Sequence, residues 1–112
     1  MKMIVAIIRP QQLPAVKQAL FDAQVYKLTV SIALGGGERD KHHETFRGVG
    51  REVTLINKVR LEIAVNEELV ERTIAAIVKG AHTGQVGDGK IFVLDLHECV
   101  AIDDGARGEP AV

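Results

Sequence analysis

Cysteine is almost missing from this chain: Cys99 stands alone, so no internal disulfide can form and no spaced framework of zinc ligands exists. A basic excess is missing too. Lysine and arginine number 14 against 15 aspartates and glutamates, for a net charge of −1. Binding nucleic acid by phosphate neutralisation needs a clustered positive field, so nucleic acid is not an expected partner. Long hydrophobic runs are also lacking. The apolar stretch from Met3 to Ile8 stops at Arg9-Pro10, too short for a signal peptide's core or a membrane span. The expectation is a protein of the reducing cytoplasm with no membrane insertion. Finally, no Ser-His-Asp set, nucleophile elbow or paired-carboxylate constellation stands out, and the chain is not read as an enzyme.

What is present suits one compact domain over residues 1–112, with 46% hydrophobic and 26% charged residues. So short a chain leaves much of its surface exposed, and flat apolar faces are expected to be covered by further copies of itself.

Lysine 2 to Arg9 is a β-branched apolar run that reads as a strand buried on both faces. Pro10 then opens a helix in which Leu13, Val16, Leu20 and Ala23 recur at helical spacing, with Pro14 tolerated in the first turn. Residues 26–34 alternate, with Leu28, Val30, Ile32 and Leu34 on one face of a half-buried strand. A polar stretch without periodicity, about 36–55, reads as a long exposed loop. Alternation returns with Val59, Leu61, Ile63 and Val65 opposing Lys58, Arg60, Glu62 and Ala64. Asn66 is placed to cap a second helix, whose stripe is Val70, Ile74, Ile77 and Ala81. A glycine-rich connection leads to a final apolar strand over 90–96 and a polar tail. Strand, helix, strand, loop, strand, helix, strand is the ferredoxin-like split βαβ order of an α+β fold. It predicts a four-stranded antiparallel sheet with two helices on one face. The other face would carry Ala6, Ile8, Val93 or their neighbours, which a subunit interface would hide.

The segment Thr83-Gly84-Gln85-Val86-Gly87-Asp88-Gly89-Lys90 gathers glycines whose N–H groups can converge on an anion, beside a lysine. Most of a P-loop pattern is satisfied, but Ile91 stands where a Mg²⁺-binding Ser or Thr belongs. The segment also runs from helix into strand rather than from strand into helix. On spacing alone a glycine-rich turn beside a surface lysine is the slightly favoured reading.

Thr83 followed by Gly87-Asp88-Gly89-Lys90-Ile91-Phe92 resembles the nucleotide-binding B-loop of the PII signal-transduction family. The likeness extends along the chain through Met1-Lys2-x-Ile4-x-Ala6-Ile7-Ile8-Arg9-Pro10, Leu28-Thr29-Val30, Gly35-x-Gly37, Arg47-Gly48, Lys58-Val59-x-Leu61-Glu62-Ile63 and Ala81-x-Thr83-Gly84. It implies a nitrogen-regulatory homotrimer with adenine nucleotide (ATP, ADP or AMP) between subunits. It also implies a T-loop, here about 36–55, that controls a transporter or a metabolic enzyme. By the same resemblance Thr29 meets the adenine, and the backbone of Gly37, Glu38 and Ala64 lines the nucleoside cleft. Gly87, Asp88, Gly89 and Lys90 of the B-loop (about 82–90) hold phosphates, while Lys58 lies near the terminal phosphate and effector. Arg47, Gly48, Gly50 and Arg51 belong to the partner-binding loop.

The departures from the family pattern carry information of their own. The modifiable T-loop tyrosine is replaced by Arg51, with Gly50 beside it. Arg39 replaces a glutamine that helps hold Mg²⁺ and 2-oxoglutarate, and a guanidinium has no acceptor for a cation, which puts both co-effectors in doubt. In the C-terminal loop (about 101–112), Ala101 and Asp103 replace two phosphate-gripping arginines, leaving Arg39 or Arg107 as compensating cations. Asp40, His42, His43 and Glu44 in the loop read as solvated side chains rather than a metal site, and His97 and Cys99 as core or edge residues. Two alternatives stand beside this reading. One is a specialised PII-like sensor for inorganic-carbon or metal-efflux systems. The other is a nucleotide-processing enzyme using Lys90 and Asp88.

Overall fold

The computed structural model describes residues 1–36 and 54–112. Strand β1 (Lys2–Ile8) is the N-terminal β-branched run, and Arg9 ends it in extended backbone before Pro10. Proline cannot extend the ladder but is preset for a helical first turn, so Pro10–Gln12 forms a 3₁₀ turn that leads into α1 (Leu13–Asp22). Gln24, at φ 63°, closes that helix and reverses the chain. Strands β2 (Thr29–Gly35) and β3 (Ile56–Val65) follow, then a 3₁₀ turn at Glu67–Leu69, α2 (Val70–Ala81) and β4 (Gly89–Asp95). Asn66 precedes the second helix as expected but does not cap it with its side chain. Its Nδ2 donates to the carbonyl of Glu109 at 3.2 Å, and it is the Asn66 backbone carbonyl that accepts from Leu69 N at 3.0 Å.

The four strands are antiparallel in the order β2-β3-β1-β4, which is the predicted ferredoxin-like arrangement. Both helices cover one face. Beneath them lie Ile4, Ala6 and Ile8 of β1 with Val59, Leu61, Ile63 and Val65 of β3, packed on Val16, Leu20, Val70, Ala76 and Ile77. Gly80 sets the distance between the helices, because a Cβ there would come within 2.6 Å of the Val16 Cα.

Two expectations about faces are corrected. Ala6 (0% exposed) and Ile8 (2%) lie under the helices, and Val93, opposite Ile4, shares that side. The uncovered face carries their neighbours: Met3, Val5 and Ile7 on β1 beside Lys90, Phe92 and Leu94 on β4. A shift of one residue along a strand exchanges the faces, so the open surface is apolar as expected but its members lie one position from Ala6, Ile8 and Val93. The second correction concerns β2. Its apolar residues Val30, Ile32 and Leu34 are 41%, 74% and 63% exposed rather than half-buried, because β2 is an outer strand.

Candidate functional site

The turn between α2 and β4 is built around one carboxylate. Asp88 Oδ2 accepts from Thr83 N at 2.8 Å and from Gly84 N at 3.0 Å, while Oδ1 accepts the Thr83 hydroxyl. The same hydroxyl accepts from Gln85 N at 3.3 Å. Gly84, Gly87 and Gly89 all have positive φ, which lets so short a segment fold back on itself. At Gly89 the requirement is absolute, since a Cβ would lie 1.8 Å from the Ile7 carbonyl oxygen where β4 joins β1.

Arg9, at the end of β1, completes the turn. Its Nε donates to Asp88 Oδ1 at 3.1 Å and its Nη2 to the carbonyl of Val86 at 2.6 Å. The Asp88 pKa is held well below the usual carboxylate range by the Thr83 hydroxyl first and the Thr83 amide next. Burial opposes this, and Arg9 and the Gly84 amide reinforce it. His82 Nδ1 lies 3.7 Å from the same carboxylate. In the sequence Arg9 ends a strand and falls within the opening motif of the family likeness, with no role of its own assigned. The one available signal was a cation closing a β-branched run, and its partner lies 79 positions away.

The nominated site residues fall into separate groups. Gly87, Asp88, Gly89 and Lys90 form one end, and Lys58 joins them, its Nζ 3.5 Å from the Gly87 carbonyl oxygen. Lys58 and Lys90 both project on the face the helices leave open. The Asp88 carboxylate is turned onto its own loop, so its part in the turn is to organise backbone. Thr29 and Ala64 share the open face, opposite Glu62 and Met3 respectively, but they do not meet the loop. Thr29 is on β2 and Lys90 on β4, the two outer strands, three strand spacings or about 14 Å apart across the sheet. Gly37, Glu38, Arg39, Arg47, Gly48, Gly50 and Arg51 lie outside the described residues, as do Asp40, His42, His43 and Glu44.

A groove of about 260 Å³ runs between α2 and β4, lined by Ile7, Ile8, Ile77, Val78, Ala81 and Ile91 with His82, Asp88, Gly89 and Lys90. Its walls are mostly apolar, so an anion is better served by the backbone of the loop. Ala101 and Asp103 stand in a hairpin closed by the Val100–Arg107 bridge and by Ala101 N donating to the Ala106 carbonyl at 2.9 Å. Among the described residues no group of three His, Cys, Asp or Glu is placed to hold a metal ion. Among them, too, no helix is long and apolar enough to cross a membrane.

The family model described as nitrogen regulatory protein P-II matches residues 1–106. A nitrogen regulatory protein P-II of Azospirillum brasilense is 44% identical over 112 residues, covering 100% of both chains. Nitrogen regulatory protein P-II 2 of Methanothermobacter thermautotrophicus is 44% identical, covering 100% of this chain and 97% of its own. The crystal structure of Arabidopsis thaliana PII bound to citrate superposes with a TM-score of 0.81 at 35% identity, covering 99% of this chain and 91% of that one. These relatives are named as regulatory proteins rather than enzymes. The chain belongs to the nitrogen regulatory protein P-II family.

Proposed function

We propose that this chain is a cytoplasmic signal-transduction regulator. In this reading it is a homotrimer that binds an adenine nucleotide between neighbouring subunits and acts on a transporter or metabolic enzyme through residues 36–55. The observation that carries the reading is the prefolded 83–90 turn with Lys58 and Lys90 beside it, a combination of backbone and cations suited to phosphate. Two further features support it. The open face is apolar on its β1–β4 half, where Phe92 and Leu94 are 49% and 50% exposed, and further copies would cover it. Thr29 and the turn also lie at opposite edges of the sheet. A head-to-tail ring therefore brings the Thr29 of one subunit toward the phosphate end of the next, where a single subunit keeps them apart.

The ligand preference follows from charge. The turn and Lys90 serve the inner phosphates. Ala101 adds no cation at the outer one, and Asp103 adds a negative charge. Losing one charge-assisted hydrogen bond weakens binding by about one to two orders of magnitude, so ADP or AMP competes well with ATP. Arg39 offers no oxygen to Mg²⁺, so 2-oxoglutarate with Mg²⁺ gives no strong synergy with ATP. Titration calorimetry tests this directly. ADP binding that is lost in Lys90→Ala supports the reading. Unchanged binding in that variant, or ATP bound far more tightly than ADP and tightened further by 2-oxoglutarate, sinks it.

The second reading, a specialised sensor for inorganic-carbon or metal-efflux systems, is favoured by Arg51 and Gly50, which offer no tyrosine for uridylylation. Titrating the nucleotide-loaded protein with bicarbonate and with divalent cations separates the two.

A further inference from the structure

We propose that Arg9 is a positioning residue for anion binding at the 83–90 turn: it clamps the turn on both sides of Gly87 and neutralises Asp88, without itself contacting the bound phosphates. This rests on the nucleotide reading above and gives that site a part it has so far lacked.

The turn has a built-in conflict. It places an ionised carboxylate, Asp88, inside a segment proposed to receive anions. Two like charges in partial shelter from solvent repel appreciably, and salt screens them less than it screens exposed groups. The Asp88 side chain is 22% exposed and that of Arg9 15%, so the guanidinium supplies the countercharge from within the protein. Asp88 cannot simply be dispensed with, because it holds the Thr83 and Gly84 amides that fold the turn. A carboxylate that shapes the site and a cation that cancels its charge are needed together.

The fork of the guanidinium does a second job. Nε reaches Asp88 at 3.1 Å and Nη2 reaches the Val86 carbonyl at 2.6 Å, so Arg9 grips the residues on either side of Gly87. Gly87 has φ 98°, and its own carbonyl oxygen is met by Lys58 at 3.5 Å. Its peptide is therefore pinned from three directions. Arg9 is delivered to this place by the pairing of Ile8 with Gly89 across β1 and β4. Two of its nitrogens are already committed to the turn, which leaves the phosphates to the backbone and to Lys90. A lysine would keep the charge but could not span both contacts.

The test compares wild type with Arg9→Gln, Arg9→Lys, Asp88→Asn and the Arg9→Gln/Asp88→Asn double variant, each titrated with ADP and with AMP by calorimetry. Arg9→Gln is expected to weaken ADP about tenfold or more, and AMP less, because the uncompensated carboxylate acts on phosphate charge. Arg9→Lys recovers part of that loss. The double variant binds ADP better than Arg9→Gln alone, a non-additivity that simple loss of structure does not produce. ADP binding at wild-type strength in Arg9→Gln overturns the proposal. So does a double variant no better than the single one, with ADP and AMP weakened alike. If Arg9→Gln does not fold, Arg9→Lys carries the test: wild-type affinity for ADP in that variant overturns the clamp, and a partial loss supports it. If wild type binds no adenine nucleotide, the nucleotide reading fails while the clamp is still judged without ligand. The Thr83 and Gly84 amides should then exchange hydrogen at least about tenfold faster in Arg9→Gln, and unchanged exchange overturns it.

Discussion

The two faces of the sheet are made by the same strands and differ in almost everything else. On the helix side, Ile4, Leu61, Ile63 and Ile77 are all 0% exposed. On the open side, Val5 is buried between its neighbours, yet Phe92 is 49% and Leu94 50% exposed, and β3 presents Lys58, Arg60 and Glu62. One face completes the fold of a single chain. The other is apolar toward β4 and charged toward β2. The closed face therefore carries stability, and the open face is the one on which the proposed function rests.

The comparison breaks most visibly in the core. Leu61→Ala removes buried methyl groups from the centre of the closed face and is expected to cost about 2–5 kcal/mol, read as a lower urea midpoint in circular dichroism. An unchanged midpoint would mean that Leu61 is not the keystone its burial implies. Gly80→Ala comes next. Its methyl group must push against Val16 backbone atoms at 2.6 and 2.7 Å, which cannot rotate away. Overpacking of about 1–3 kcal/mol is set against a gain of up to about 1 kcal/mol from better helix propensity, and since the contacts are rigid backbone a net loss of up to about 2 kcal/mol is expected in the same assay.

The open face responds differently. For the proposed trimer, Phe92→Glu should leave the circular dichroism spectrum in place, while light scattering falls from the mass of three chains to that of one. A trimer persisting at micromolar concentration would show that assembly uses another surface. The smallest effect concerns acid. The folded Asp88 carboxyl has a depressed pKa, so the stability it lends is full at neutral pH, and it declines only as pH falls toward that depressed value. The Thr83 and Gly84 amides, followed by NMR, should hold their shifts from pH 7 through about pH 4, where an ordinary aspartate protonates. A transition at that ordinary value would mean that the Arg9–Asp88–Thr83 network is weaker than its distances imply.

Much of this was legible in the residues. The strands and helices appear in the expected order because periods of two and of about 3.6 are local properties, visible wherever one face is buried. The glycine-rich turn was legible for the same reason: Gly87, Asp88, Gly89 and Lys90 lie in one short run. Legibility failed wherever the answer depended on what lies alongside. The alternation of Val30, Ile32 and Leu34 announces a strand but not that it is an outer one, and so did not announce its exposure. The face of Ala6 and Ile8 turned on a register shift of one residue.

By itself, then, the sequence determined the kinds and order of elements, the place of the glycine-rich turn and the family likeness, since each is written in neighbouring residues. Tertiary structure alone decided that Arg9 meets Asp88, that Thr29 and Lys90 stand on opposite edges, and which apolar side chains are left open. Those facts come from the pairing of strands distant in the chain, and strand register is set by packing across the whole sheet rather than by any local run.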